Sequence, residues 1–166
     1  MAVSMPSRTL TDQVCLLLAT GLGLGYSPVA PGTVGALWGI PLTWLVMQIP
    51  SLATQILILV GLYAVGVAVC DRAAKLMDQK DPGSVVWDEI ATVPLVFLLV
   101  NQTLVARPEI LLLGFVLHRV FDITKLPPIH RLERLPGGLG IMTDDVVAAL
   151  YGCCAMHVIL LLLRLN

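Results

Sequence analysis

The chain has 166 residues, 57% of them hydrophobic and 13% charged, with a mean hydropathy of +0.90. An ordinary soluble domain carries about 25% charged residues, so this composition excludes a conventional soluble monomer and points to a membrane protein. Ten basic against eleven acidic residues, a net charge of -1 and the mixing of the two signs exclude an electrostatic nucleic-acid binder, and the apolar content excludes disorder.

Residues 1–166 read as one domain, because the length suits a single unit and no linker-like stretch divides it. The start of the chain lacks a clean small-residue cleavage site and runs on into a Gly/Pro motif, so no signal peptide is expected. Between Gln13 and Cys70 lie 58 positions without a charge or a histidine. This stretch divides into Gln13 to Gly25, the loop YSPVAPGT, Val34 to Ile49 and Leu52 to Cys70, with Pro50-Ser51 predicting a tight helical hairpin. At 1.5 Å per residue the hairpin arms are about 24 and 28 Å long, near the hydrocarbon thickness, whereas the first segment reaches about 20 Å and is expected to be interfacial or re-entrant.

Next comes the polar segment Asp71 to Glu89, where Asp81-Pro82 predicts the cap and first position of a helix carrying Asp88 and Glu89 in its second turn, with a kink at Pro94. Ile90 to Ala106 and Ile110 to Leu117, separated by Arg107-Pro108-Glu109, predict a second hairpin. A second polar segment, His118 to Asp145, leads into the apolar run Val146 to Leu163, the best single transmembrane candidate. The expected fold is all-α, a compact multi-helix bundle of about six or seven helices that passes the membrane several times. The two polar segments hold 7 of the 10 basic and 9 of the 11 acidic residues. Out-and-back hairpins put both segments and the loop Tyr26 to Thr33 on one side of the membrane, and the Lys/Arg excess makes that side cytoplasmic.

Chemistry is expected in those segments. Asp88 and Glu89 are adjacent acids at a membrane boundary, though acids at a helix start also simply complement the dipole. His118, Arg119, Asp122 and Lys125 share one stripe of an otherwise apolar helix, and such a stripe normally faces a bundle interior or a wet cavity. The blander account is an internal Arg119 to Asp122 ion pair. Asp144 and Asp145 open the last apolar helix, either as caps or, with Ala148 and Ala149 allowing close approach, as partners for acids on neighbouring helices. Carboxylates without a zinc-like His pair favour a hard cation, Mg²⁺ above all, which is usually held by one or two carboxylates and substrate phosphate. Cys15, Cys70, Cys153 and Cys154 read as small hydrophobes; none has Arg six residues on, and no D-x-D motif occurs, so water is the expected nucleophile. The loop with Ser27 and Thr33 could cradle a phosphate through backbone amides or serve as a plain structural loop.

Taken together, SPVAPGTVG within Gly21 to Pro41, GSVVWDE at Gly83 to Glu89, and Arg119 to Lys125 followed by GGLGIMTDD at Gly137 to Asp145 resemble the phosphatidylglycerophosphatase A family. That family consists of membrane-associated bacterial enzymes that hydrolyse phosphatidylglycerophosphate to phosphatidylglycerol and phosphate. The resemblance implies Mg²⁺-dependent phosphomonoester hydrolysis at a bacterial inner (plasma) membrane, with a phospholipid as partner and the site facing the cytoplasm. It implies Asp88, Glu89, Asp144 and Asp145 as catalytic groups and Asp88, Asp122, Asp144 and Asp145 as metal ligands. Glu89 is then the expected base, and Arg119 and Lys125, with Ser27 and Thr33, the phosphate-binding groups. Three positions depart from the family's pattern: Thr92 and Ala149 replace glycines and Leu126 replaces a proline. Two alternatives stand beside this reading, a phosphatase for another lipid phosphate and a small non-enzymatic membrane transport or assembly protein. The acids cluster at one boundary and no internal repeat is evident, which disfavours a transporter.

Overall fold

The computed structural model describes residues 8–165 as helices and connecting turns, with no strand among them. Eight α-helices run in chain order: α1 (Leu10–Ala19), α2 (Pro31–Met47), α3 (Leu52–Leu76), α4 (Trp87–Thr92), α5 (Gln102–Val105), α6 (Pro108–Thr124), α7 (Ile129–Leu132) and α8 (Gly138–Leu162). Short 3₁₀ turns at Leu24–Tyr26 and Val93–Phe97 complete the set. The all-α expectation holds. Two helices, α3 and α8, are long and apolar enough to cross a bilayer.

Local chemistry accounts for the boundaries. α1 opens on a capping box in which Thr9 and Asp12 satisfy each other's backbone amides. Arg72 of α3 then clamps α1, its Nε donating to Asp12 at 2.8 Å. Pro31 occupies the first turn of α2, where its missing N–H costs nothing, and Ser51 caps α3 through the Thr54 amide, so the Pro50-Ser51 break separates two helices as expected.

Three boundaries differ from the sequence reading. The helix expected from Pro82 begins only at Trp87, because Val85 turns back onto the Pro82 carbonyl and the Val86 amide donates to Ala19 instead of entering a helix. Asp88 and Glu89 therefore occupy the first turn of α4. The expected second hairpin is replaced by one arm: residues 90–106 break at Pro94 into a 3₁₀ turn and the short α5, and only α6 is a long helix. Lastly, α8 starts at Gly138, eight residues before the predicted run, which makes Asp144 and Asp145 its seventh and eighth residues instead of its cap.

α8 lies against both α3 and α6, while α2 packs on α4 and the following 3₁₀ turn. The core gathers around that turn, where Val93, Val96 and Phe97 are fully buried with Ala36, Met47, Val105, Ala149 and Met156. The residues from Pro94 onward thus fill the space between the long helices instead of spanning a membrane. Where α3 and α8 meet, Gly138 permits the contact: a Cβ there would lie 1.9 Å from the Val67 carbonyl oxygen.

Candidate active site

At the end of the bundle where α4 and α8 begin and α6 ends, a cavity of about 240 Å³ is lined by Asp81, Asp88, Glu89, Asp122, Lys125, Asp144 and Asp145, among others. Three helices supply most of these side chains. Asp88 and Glu89 come from the first turn of α4, Asp122 from the last turn of α6, Lys125 from its left-handed C-cap, and Asp144 and Asp145 are the seventh and eighth residues of α8.

The tightest group is Asp88, Glu89 and Asp145, whose ligand oxygens lie within 4.8 Å of one another. Asp88 Oδ1 and Glu89 Oε2 are buried without a protein donor, and so is Asp144 Oδ1 on the same cavity. Burial, reinforced by the neighbouring acids, pushes the Asp88 carboxyl well above its ordinary range. Glu89 is pushed up too, first by burial, with Arg119 pulling the other way. Crowded carboxylates with unpartnered buried oxygens are costly by themselves and gain most from a multivalent cation. An all-oxygen donor set of this kind fits a hard divalent ion such as Mg²⁺.

Two cations flank the acids. Arg119 Nη1 sits 2.6 Å from Asp122 Oδ2 and 3.5 Å from Glu89 Oε1, so the ion pair of the blander account exists within α6, and its guanidinium also reaches across to α4. Asp122 is engaged by this arginine and stands outside the tight acid group. Lys125 joins Glu133 to Asp144, the latter at 3.4 Å, tying the end of α6 to α8. Burial opposes its charge, but Glu133 and Asp144 outweigh that and hold the ammonium protonated.

The remaining expected residues divide. Thr33 does not line the acid cavity; it lies on an adjoining apolar groove beside Arg119. The Ser27 hydroxyl donates to the Val29 carbonyl at 3.0 Å, within its own loop. The loop nevertheless reaches the site through Gly32, which packs directly against the Glu89 carboxylate and the Arg119 guanidinium. His118, expected on the polar stripe, is fully buried and meets Thr92 instead, Nε2 to Oγ1 at 2.9 Å. Because Thr92 Oγ1 donates to the Asp88 carbonyl at 2.7 Å, it accepts from His118, and the pair fastens α6 to the turn that carries the acids.

Sequence reasoning passed over Gly32 and Glu133, and weighed Asp81 only as a cap. A glycine next to a proline reads as loop chemistry, and nothing in the local pattern reveals that it touches an acid 57 positions further on.

The structure is thus a helical bundle with a carboxylate cluster between an arginine and a lysine, and with two helices long and apolar enough for a bilayer, the class of a membrane-associated protein. The Phosphatidylglycerophosphatase A family description matches residues 17–160. An Escherichia coli protein named Phosphatidylglycerophosphatase A is 37% identical over 148 residues, covering 86% of this chain and 81% of that protein. Its Haemophilus influenzae namesake is 35% identical, with 86% of each chain covered. A Bacteroides thetaiotaomicron protein named as a candidate phosphatidylinositol-3-phosphatase is 34% identical, over 82% of this chain and 87% of its own. No solved structure matches. The chain belongs to the phosphatidylglycerophosphatase A family and is a phosphatase, which sets aside the transport and assembly alternative.

Proposed function

We propose that the protein hydrolyses the terminal phosphomonoester of phosphatidylglycerophosphate, in a Mg²⁺-dependent reaction, to give phosphatidylglycerol and phosphate. The convergence of Asp88, Glu89 and Asp145, with two unpartnered buried oxygens between Arg119 and Lys125, carries this reading. Those three acids would hold the ion, Glu89 joining the ligands instead of acting as the base expected from sequence. Bound there, Mg²⁺ supplies Lewis-acid polarisation of the phosphate and neutralises charge that the acids would otherwise set against an anionic substrate.

The protein's own groups do the rest. Arg119, held in orientation by Asp122, presents its guanidinium to the phosphate oxygens as negative charge builds on them. Lys125, kept protonated by Glu133 and Asp144, faces the same cavity as a second positive charge. Asp144, with Oδ1 free of protein donors, accepts a proton from the water that attacks phosphorus, and gives it to the glycerol oxygen as the P–O bond to the departing phosphatidylglycerol breaks. The apolar helices keep the lipid headgroup at the membrane surface; the site faces the cytoplasm of a bacterial inner membrane, which α3 and α8 would cross to make the chain multi-pass.

The Bacteroides relative's name favours a second reading, a phosphomonoesterase for another phospholipid. One assay decides between them: phosphate release by the purified protein in detergent, with and without Mg²⁺, from phosphatidylglycerophosphate, phosphatidic acid and phosphatidylinositol 3-phosphate. Mg²⁺-dependent release from the first lipid alone is expected. Equal release from all three withdraws the substrate assignment, and release undiminished by chelation overturns the metal.

A further inference from the structure

Beside the acid cavity, α6 carries a feature that the chemistry leaves unused. Leu112, Val116, Val120 and Ile123 are 58%, 44%, 46% and 67% exposed. Their spacings of four, four and three residues put them on one stripe of the helix. Towards the acid end the stripe opens into a groove of about 310 Å³ between α6 and the first turn of α2, with Phe115, Val116, Val120 and Ile123 on its walls. Arg119 is the one charged side chain lining it.

Two observations say what fits. Ile123 lines both the groove and the acid cavity, so the two spaces adjoin across a single side chain. Arg119 lines the groove while its Nη1 lies 3.5 Å from Glu89, so an anion held at the acids and an apolar tail in the groove would flank one guanidinium. The other exposed apolar faces lack this continuity: Leu57 on α3 and Leu161 on α8, 71% and 63% exposed, line neither space.

We propose that this groove is an acyl-chain site, which holds one fatty-acyl chain of the same phospholipid whose phosphate occupies the acid cavity. The proposal rests on the lipid-phosphatase reading above and adds the surface by which the enzyme selects a long-chain lipid over a short or water-soluble phosphate ester. The chain would lie along α6, which runs from the acid end towards Arg107 at the opposite end of the bundle. Burial of its methylenes against Val116 and Val120 would then set substrate affinity.

The test fills the groove. Val116→Trp and Val120→Trp are compared with Leu57→Trp and Leu161→Trp, using dipalmitoyl and dibutanoyl phosphatidylglycerophosphate in the same detergent. The ratio of kcat/KM for the long-chain over the short-chain lipid is expected to fall at least tenfold in the groove variants, mostly through KM, and to stay at the wild-type value in the other two. A ratio unmoved by Val116→Trp and Val120→Trp, or moved equally by Leu57→Trp, overturns the site. A second measurement uses wild-type protein and needs no turnover: dipalmitoyl phosphatidylglycerophosphate with a diazirine on one acyl chain should label α6 between Leu112 and Ile123. Label spread evenly over α3 and α8, or a crosslink between two copies of the chain at α6, would also overturn it. Absence of phosphate release from every lipid would instead remove the functional reading and leave the labelling pattern to decide the groove.

Discussion

Gly32 and Glu89 are separated by most of a helical hairpin in sequence and in contact in space. A Cβ on residue 32 would lie 2.0 Å from Glu89 Oε1 and 3.3 Å from Arg119 Nη2. Gly32→Ala should therefore displace the acid and the guanidinium together and lower kcat/KM about 100-fold, the scale expected for a shift of about 1 Å at a reacting centre. Its helical circular dichroism should stay unchanged, and wild-type activity in this variant would show that the close approach is unimportant. On the proposed function the acids should separate by role. Asp88→Asn and Asp145→Asn should each reduce kcat by about 1,000-fold, as for loss of a main electrostatic stabiliser, and abolish the rise in melting temperature on adding Mg²⁺. Asp122→Asn, which only frees Arg119, should keep that rise while weakening turnover; loss of the rise would return Asp122 to the ligand set expected from sequence.

Among the elements, the short α4 depends most on its neighbours. Six residues are too few to hold a helix in isolation, so its position comes from α2, α3 and α8 packed against it, with a side-chain tie to α6. Thr92 and His118 form that tie. Thr92→Val keeps the shape but leaves the His118 Nε2 proton buried without an acceptor, which should cost about 1 to 3 kcal/mol in stability, whereas Thr92→Ser should cost well under 1 kcal/mol. Equal melting temperatures for the two variants would show that the hydrogen bond contributes nothing. Between the long helices, Gly138→Ala would force α8 away from the Val67 carbonyl at a cost of about 1 to 3 kcal/mol, measurable by thermal unfolding in detergent. The departures from the family's pattern acquire a meaning at this scale: Thr92 supplies a hydroxyl to a histidine, and Ala149 is fully buried in the core that α8 shares with the 3₁₀ turn.

For the whole molecule, the acid cluster is expected to link stability to pH and, on the proposed function, to Mg²⁺. Asp88 and Glu89 have carboxyls raised above the ordinary range near 4, so the folded chain holds protons that the unfolded chain gives up. The stability they contribute is complete below that range and is lost as pH climbs through the raised values. Metal-free protein should accordingly melt at a lower temperature near pH 8 than near pH 5, and Mg²⁺ should raise the melting temperature more at the higher pH, where it no longer competes with protons. A Mg²⁺ shift independent of pH, followed by differential scanning fluorimetry, would overturn this coupling.

How much of this could be read from the chain follows the range of the forces involved. Composition and the 58-residue charge-free stretch determined the helical, membrane-associated class, because hydropathy and helix punctuation are local properties. The motifs around Asp88, Arg119 and Asp144 likewise marked residues that the fold gathers at one end of the bundle, since charged residues in so apolar a chain persist only where something holds them. Tertiary structure alone decided which acids meet. It started α8 eight residues early, diverted Val86 onto Ala19 so that α4 began late, and folded residues 90–106 into the core in place of a membrane arm. Each of those outcomes turns on a contact between residues far apart in sequence: Gly138 on Val67, Val86 on Ala19, Phe97 among the long helices. Local propensity is too weak to set such contacts, and the burial and close packing that set them exist only once the helices are assembled.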